Sequence, residues 1–177
     1  MKSDIIVVGG GASGLMAAIG AAQILVQSGN GGTVTVLEKM PKAGRKLMIT
    51  GRGRCNFTNV KPWNEFSEHV ASDPNFVSPS FHNLTPEAVV ELLRQNGLRS
   101  VVERGDRAFP ASHMAGDVVD TLLRACTLSG VKVVTGCEVK SIEATPKGFR
   151  LEKVKTTVKT FRPRREEERS RGFRPRH

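Results

Sequence analysis

Tyrosine is absent from these 177 residues, tryptophan occurs once, and aromatic residues make up only 5%. With hydrophobic residues at 38%, a core is possible but has little apolar surplus to draw on. The three cysteines (Cys55, Cys126, Cys137) form no CxxC pair, and their odd number argues against a disulfide framework. A reduced, cytoplasmic chain is expected. His69, His82, His113 and His177 show no ligand spacing, so no metal site is expected. The longest apolar stretch, residues 5–26, is broken by a GGG run, Ser13 and Gln23, and is built of Gly and Ala where a spanning helix favours Leu, Ile and Phe. It reads as neither a signal nor a membrane segment. Acidic residues are also short, 17 against 27 Lys/Arg, for a net charge of +10. That excess is uneven. Residues 151–177 hold ten Lys/Arg and four Glu, whereas residues 1–150 carry a balance of only +4. The basic appearance belongs largely to the tail, and no sequence-specific nucleic-acid contact is expected from it.

What is present begins with "DIIVVGGGASGLMAA". The β-branched run Ile5–Val8 shows no alternation, as in a parallel strand buried on both faces. From Ala12 to about Gln27, Leu15, Ala18, Ile19, Ala22 and Leu25 recur at helical spacing, and "SGNGG" stops the helix. "TVTVLE" (33–38) reads as a second strand, which completes a right-handed crossover unit of ordinary size. Residues 39–63 show neither period and form a long Gly-, Arg- and Asn-rich loop. A helix is predicted at 86–96, with Thr85 as N-cap, Pro86 at its first position and Gly97 behind it. A hairpin around Gly105-Asp106 follows, then a helix from about Gly116 to Leu128, a strand at 131–135, and a second hairpin around 146–148. The tail from Phe161 lacks periodicity and is expected to be disordered.

Gly9, Gly11 and Gly14 fit G-x-G-x-x-G between a buried strand and a helix, and Glu38 ends the next strand 24 residues on. Gly9 permits the sharp turn, Gly11 leaves room for a pyrophosphate, and Gly14 lets the helix pack on the sheet. With Ala12 and Ser13 they open the helix, whose free N–H groups and positive dipole end attract phosphate. Glu38 suits ribose hydroxyls and repels a 2′-phosphate, which leaves FAD and NAD as candidates. The alternative is glycine used only for packing, with Glu38 a solvated strand end. Arg45, Lys46 and Arg54 are suited to neutralising phosphates or a reduced flavin. Cys55 beside Arg54 could be a low-pKa nucleophile, but no resolving Cys or acid–base partner is evident, so a structural or flavin-contacting role is preferred.

The segment "KMPKAGRKLMITGRGRCNFTN" is similar to the one after the second strand in the BaiN/YhiN-like NAD(P)/FAD-dependent oxidoreductases, also called the aminoacetone oxidase family of FAD-binding enzymes. It matches at Glu38, Lys39, Pro41, Lys42, Gly44, Arg45, Lys46, Gly51, Gly53, Arg54, Cys55, Asn56, Thr58 and Asn59. It departs at Thr50, where the family has Ser, and at Arg52, where it usually has Gly. The resemblance covers about residues 4–150. It implies an α/β, Rossmann-like FAD-binding domain with a parallel sheet and β-hairpin insertions, incomplete at its C-terminus. FAD would lie extended across Gly9–Gly14 and Glu38, wrapped by the Gly44–Asn59 loop with Lys39 beside it, its adenine meeting the backbone at Val139. NAD(P)H as reductant and a small-molecule electron donor or acceptor are further implications; no catalytic residue is implied. The family also has a later strand, a substrate domain and a return to the first domain. Residues 151–177 are therefore expected to be a basic tail outside the fold, as in a truncated or frame-shifted chain with little activity alone. A non-catalytic dinucleotide-binding fragment, or nucleic-acid binding through the tail, are the alternatives.

Overall fold

The computed structural model describes residues 2–29 and 31–155. Strand β1 (Ile5–Val8) enters helix α1 (Ala12–Gln27), which returns to β2 (Val34–Leu37). The chain then passes a 3₁₀ segment (Leu47–Gly53), β3 (Thr58–Asn59), α2 (Trp63–Ser67), α3 (Pro74–Asn83), α4 (Pro86–Gln95), β4 (Ser100–Glu103) and β5 (Arg107–Pro110). Helix α5 (Ala115–Leu128), β6 (Lys132–Val134), β7 (Cys137–Thr145) and β8 (Gly148–Lys155) complete it.

Three small sheets result. The parallel sheet runs β1-β2-β6, with Ile5 opposite Val34 and Leu37 opposite both Val8 and Val134. The second is antiparallel, β3-β5-β4, and the third is the β7–β8 hairpin. All four residues of β2 are buried, Thr35 included, because it is the central strand, whereas Ile5–Val8, expected to be buried on both faces, is only partly buried and Val8 is exposed: β1 pairs with β2 alone among the described residues. Leu15, Ala18, Ile19 and Ala22 of α1 interlock with Val118, Leu122, Ala125 and Cys126 of α5 over Val34 and Val36. The helical spacing read from the sequence is the face that forms this core.

The capping signals resolve as expected at α4. The Thr85 hydroxyl accepts from the Ala88 N–H at 3.2 Å, Pro86 takes the first turn, and Gly97 follows at φ +91°. Two regions were not legible. Residues 39–63 are more than loop: they hold the 3₁₀ segment and β3, whose two residues pair with Ala108 and Arg107. Helices α2 and α3 bury no residue, so they carry no apolar stripe to announce them. An aromatic cluster joins them instead, with Trp63 and Phe81 rings 5.1 Å apart and Phe66 and Phe81 5.0 Å apart. The tail boundary expected at residue 151 falls inside β8: residues 151–155 pair with β7 and belong to the hairpin. The disorder expected from Phe161 lies outside the described residues.

Candidate functional site

At the carboxyl end of β1 each motif glycine occupies a different kind of space. Gly9 has φ +106°, a conformation that a side chain would strain. A Cβ on Gly14 would lie 1.9 Å from the Gly9 carbonyl oxygen, so α1 can sit this close to the strand only with glycine there. A Cβ on Gly11 would meet nothing within 4 Å. The protein itself therefore gives no reason for glycine at position 11. Gly11 is the N-cap of α1 in extended backbone and offers no side-chain cap, so the N–H groups of Ala12, Ser13 and Gly14 face an uncapped helix end.

Glu38 leads from the end of β2 back into this turn. Its Oε2 accepts from the Gly10 N–H at 2.7 Å and its Oε1 from the Met40 N–H at 2.7 Å. Sequence reasoning expected a ribose contact and missed this role as a pin between two loops. Two bonds leave lone pairs on the carboxylate for hydroxyl donors. The following loop is tied in as well: the Gly44 N–H donates to the Gly10 carbonyl at 2.8 Å, and Ala43 abuts Gly10. Gly44, at φ +71°, is pressed against Val119 of α5, where a Cβ would lie 2.8 Å from the valine methyls.

Lys39, Arg45 and Lys46 are exposed and make no ion pair among the described residues. Arg45 and Lys46, with Lys42, rim a groove of about 1330 Å³ lined further by Met40, Ala43 and Thr135. The groove runs between this loop and α5, whose Gly116, Val119, Asp120 and Leu123 form its other side. Val139 stands two residues beyond Cys137, whose N–H donates to the Glu38 carbonyl at 2.9 Å. The β7–β8 register shifts between Val139 and Ser141, and such an irregularity breaks the ladder locally.

The second half of the loop is fastened to the antiparallel sheet. Arg54 Nη1 donates to both oxygens of Glu103, at 2.8 and 3.1 Å, and its guanidinium lies 4.4 Å from the Phe109 ring centroid. The Asn59 amide donates to the Gly105 carbonyl at 2.8 Å, while its oxygen accepts from the Lys61 N–H. The Asn56 amide, oriented by its neighbours, donates to the Thr58 and Ala108 carbonyls. Cys55 is fully buried and burial pushes its thiol above the ordinary range, the reverse of what a nucleophilic thiolate needs. Arg54 to Asn59 thus form an anchor, and the Gly9–Gly14 turn with Glu38 forms a candidate cradle. No group of three or more potential metal ligands exists among the described residues.

Arg52 occupies left-handed backbone at φ +57°, ψ +40°, between Gly51 and Gly53, which also have positive φ. A β-carbon there costs roughly 1–2 kcal/mol. Arg52 is exposed and its side chain makes no ion pair among the described residues, so Arg52→Gly is expected to raise the melting temperature, which a calorimetric melt checks.

Residues 3–162 match the family described as the HI0933-like protein Rossmann domain. The chain is 33% identical over 143 residues to a 3-dehydro-bile acid delta(4,6)-reductase of Clostridium scindens, covering 81% of this chain and 33% of the relative. It is 28% identical over 151 residues to a ribosomal RNA dihydrouridine synthase of Escherichia coli, covering 85% and 36%. The chain thus spans about a third of the length of these curated relatives. Among solved structures it is similar to THI4 of Thermovibrio ammonificans, with a TM-score of 0.54 at 18% identity over 88% of this chain and 49% of that one. That likeness bears on fold alone.

Proposed function

The chain belongs to the HI0933-like Rossmann-domain family, and from that premise we propose that it is the FAD-binding part of a flavin-dependent oxidoreductase. The observation that carries the reading is Gly11: glycine stands where a Cβ would meet no protein atom within 4 Å beyond its chain neighbours, beside an uncapped helix end. Space kept clear of protein is what a pyrophosphate lying against the backbone requires.

The residues present fit an adenine dinucleotide. Ala12, Ser13 and Gly14 would donate backbone N–H groups to the phosphates. Glu38, held by Gly10 and Met40, would keep its carboxylate aimed at ribose hydroxyls and would exclude a 2′-phosphate. Arg45 and Lys46 would offset phosphate charge, and the interrupted ladder at Val139 would present backbone to the adenine. FAD bound there supplies the transfer of hydride equivalents, which no side chain of the chain can perform. The anchor from Arg54 to Asn59 would hold the loop in one geometry, and Cys55 would act as a buried packing group.

The names of both curated relatives, a reductase and a dihydrouridine synthase, describe addition of hydrogen. We extend that to this chain as a reductive reaction on a small-molecule or nucleotide acceptor, with a nicotinamide as electron donor. No helix among the described residues is long and apolar enough to cross a membrane, and a cytoplasmic site of action goes with the reading.

The test is the cofactor carried from the cell. Heat-released ligand from the purified chain should be yellow and co-elute with FAD on reversed-phase chromatography. Release of NAD in its place would reassign the cradle. A protein that carries no dinucleotide and takes up none from added FAD would remove the reading.

A further inference from the structure

Seven Lys and Arg residues and no Asp or Glu lie between Glu38 and Glu65, in the stretch that runs from the cradle to the antiparallel sheet. Its start is tied to the cradle by the Gly44 N–H on the Gly10 carbonyl, and its far end to the sheet by the Phe57 N–H on the Ala108 carbonyl at 3.1 Å. Six of the seven cations have a place. Lys39 follows Glu38 directly, and Lys42, Arg45 and Lys46 rim the groove beside α5. Arg54 is held by Glu103, and Lys61 by Glu65 and Asp106. Arg52 is left, and its backbone is the least suited to an arginine. Gly51, Arg52 and Gly53 have φ of +55°, +57° and +85°, three successive residues in left-handed space. Side-chain-bearing residues visit that region singly, and only glycine enters it freely. The turn is enforced locally. The Arg54 N–H donates to the Gly51 carbonyl at 3.2 Å and the Cys55 N–H to the Thr50 carbonyl at 3.1 Å. A Cβ on Gly51 would lie 3.1 Å from the Asn56 nitrogen and 3.3 Å from the Phe109 ring. These neighbours impose the backbone whatever side chain stands at 52, so arginine there bears a strain that glycine would not.

We propose that Arg52 is the cation that meets the flavin of the bound FAD, pairing with the N1–C2=O edge of the isoalloxazine and stabilising the negative charge which that edge gains on reduction. The inference rests on the reading of the cradle as an FAD site. A hydride from the nicotinamide donor carries two electrons and a proton to N5: the donor's C4–H bond breaks, an N5–H bond forms, and the surplus charge stays on N1 and O2. Guanidinium is permanently charged and offers paired donors in one plane, which matches two adjacent acceptors. Arg54, the nearest other arginine in the loop, has its guanidinium shared between Glu103 and the Phe109 ring. Backbone strain kept at a ligand contact exchanges stability for a charge fixed where charge develops. The higher melting temperature expected of Arg52→Gly is the stability side of that exchange.

The test is the midpoint potential of FAD bound to the full chain, from anaerobic dithionite titration against a reference dye. Equilibrium binding of sulfite accompanies it, because sulfite adds to oxidised flavin at N5 and pushes its electron pair onto the same N1–C2=O edge. Arg52→Asn removes the charge and keeps a residue that tolerates left-handed backbone. It should weaken sulfite binding about tenfold and lower the potential by about 30 mV, the two-electron equivalent of tenfold. Arg52→Lys should retain most of both. Arg45→Gln, on the phosphate side, should weaken FAD binding in both oxidation states and so leave the potential unchanged. An Arg52→Asn protein with the parent's potential and sulfite affinity would overturn the proposal while leaving FAD in the cradle. A potential shifted by Arg45→Gln and not by Arg52→Asn would overturn it in favour of Arg45. A chain that takes up no FAD would remove the reading of the cradle, and the role of Arg52 with it.

Discussion

Gly14→Ala should cost this chain most of its stability. The new Cβ would be 1.9 Å from the Gly9 carbonyl oxygen and 3.1 Å from its carbonyl carbon, backbone atoms that no rotamer change can move. Either α1 lifts from β1, exposing Leu15 and Ile19, or the Gly9 turn rearranges. A loss of about 4 kcal/mol or more is expected, in the range reserved for backbone collisions and large cavities. Domains of this size are stable by only about 5–15 kcal/mol, so the variant should melt near room temperature or accumulate in inclusion bodies. Thermal unfolding followed by circular dichroism is the measurement. A melting temperature within a degree or two of the parent would show that α1 is not held this close.

Glu38→Ala is the second large effect, and it differs from what a ribose ligand alone would give. The carboxylate ties the Gly10 and Met40 N–H groups together in a half-buried position, with both bonds at 2.7 Å. Hydrogen bonds to a charged acceptor contribute roughly 1.5–3 kcal/mol each. Loss of both, partly made good by water, should lower stability by about 2–4 kcal/mol even without a cofactor. Glu38→Gln should not restore it, because the amide NH₂ would face one of two N–H donors. A melt of ligand-free protein separates this from a binding effect. An apo Glu38→Ala protein as stable as the parent would mean that the carboxylate serves the ligand only.

The two effects mark how far sequence could be read. Gly9, Gly11 and Gly14 were legible because strand, turn and helix each leave a local pattern, and those patterns agree at one point. The face of α1 was legible from its helical spacing, and the start and stop of α4 from Thr85, Pro86 and Gly97. The anchor was not. Arg54 was a ligand candidate by its charge, and Asn56 and Asn59 by the family resemblance; that they also donate to Glu103, Ala108 and Gly105, about fifty residues on, had no local sign. Such pairings depend on how β3, β5 and β4 come together, and a two-residue strand such as β3 has no periodicity to announce it. The second duty of Glu38 was hidden because a carboxylate at the end of a strand looks alike whether it faces ribose or backbone. Helices α2 and α3 escaped because their apolar residues meet one another as an aromatic cluster and not the main core.

The most direct measurement of the cradle is an equilibrium titration of FAD against the parent and Gly11→Val, with the fold of each checked by circular dichroism. Valine is tolerated in extended backbone, and its Cβ meets no protein atom at position 11. The variant should therefore melt close to the parent yet bind FAD at least tenfold more weakly, because its side chain fills the space for the pyrophosphate. Equal FAD affinity in a natively folded Gly11→Val protein would contradict the cradle.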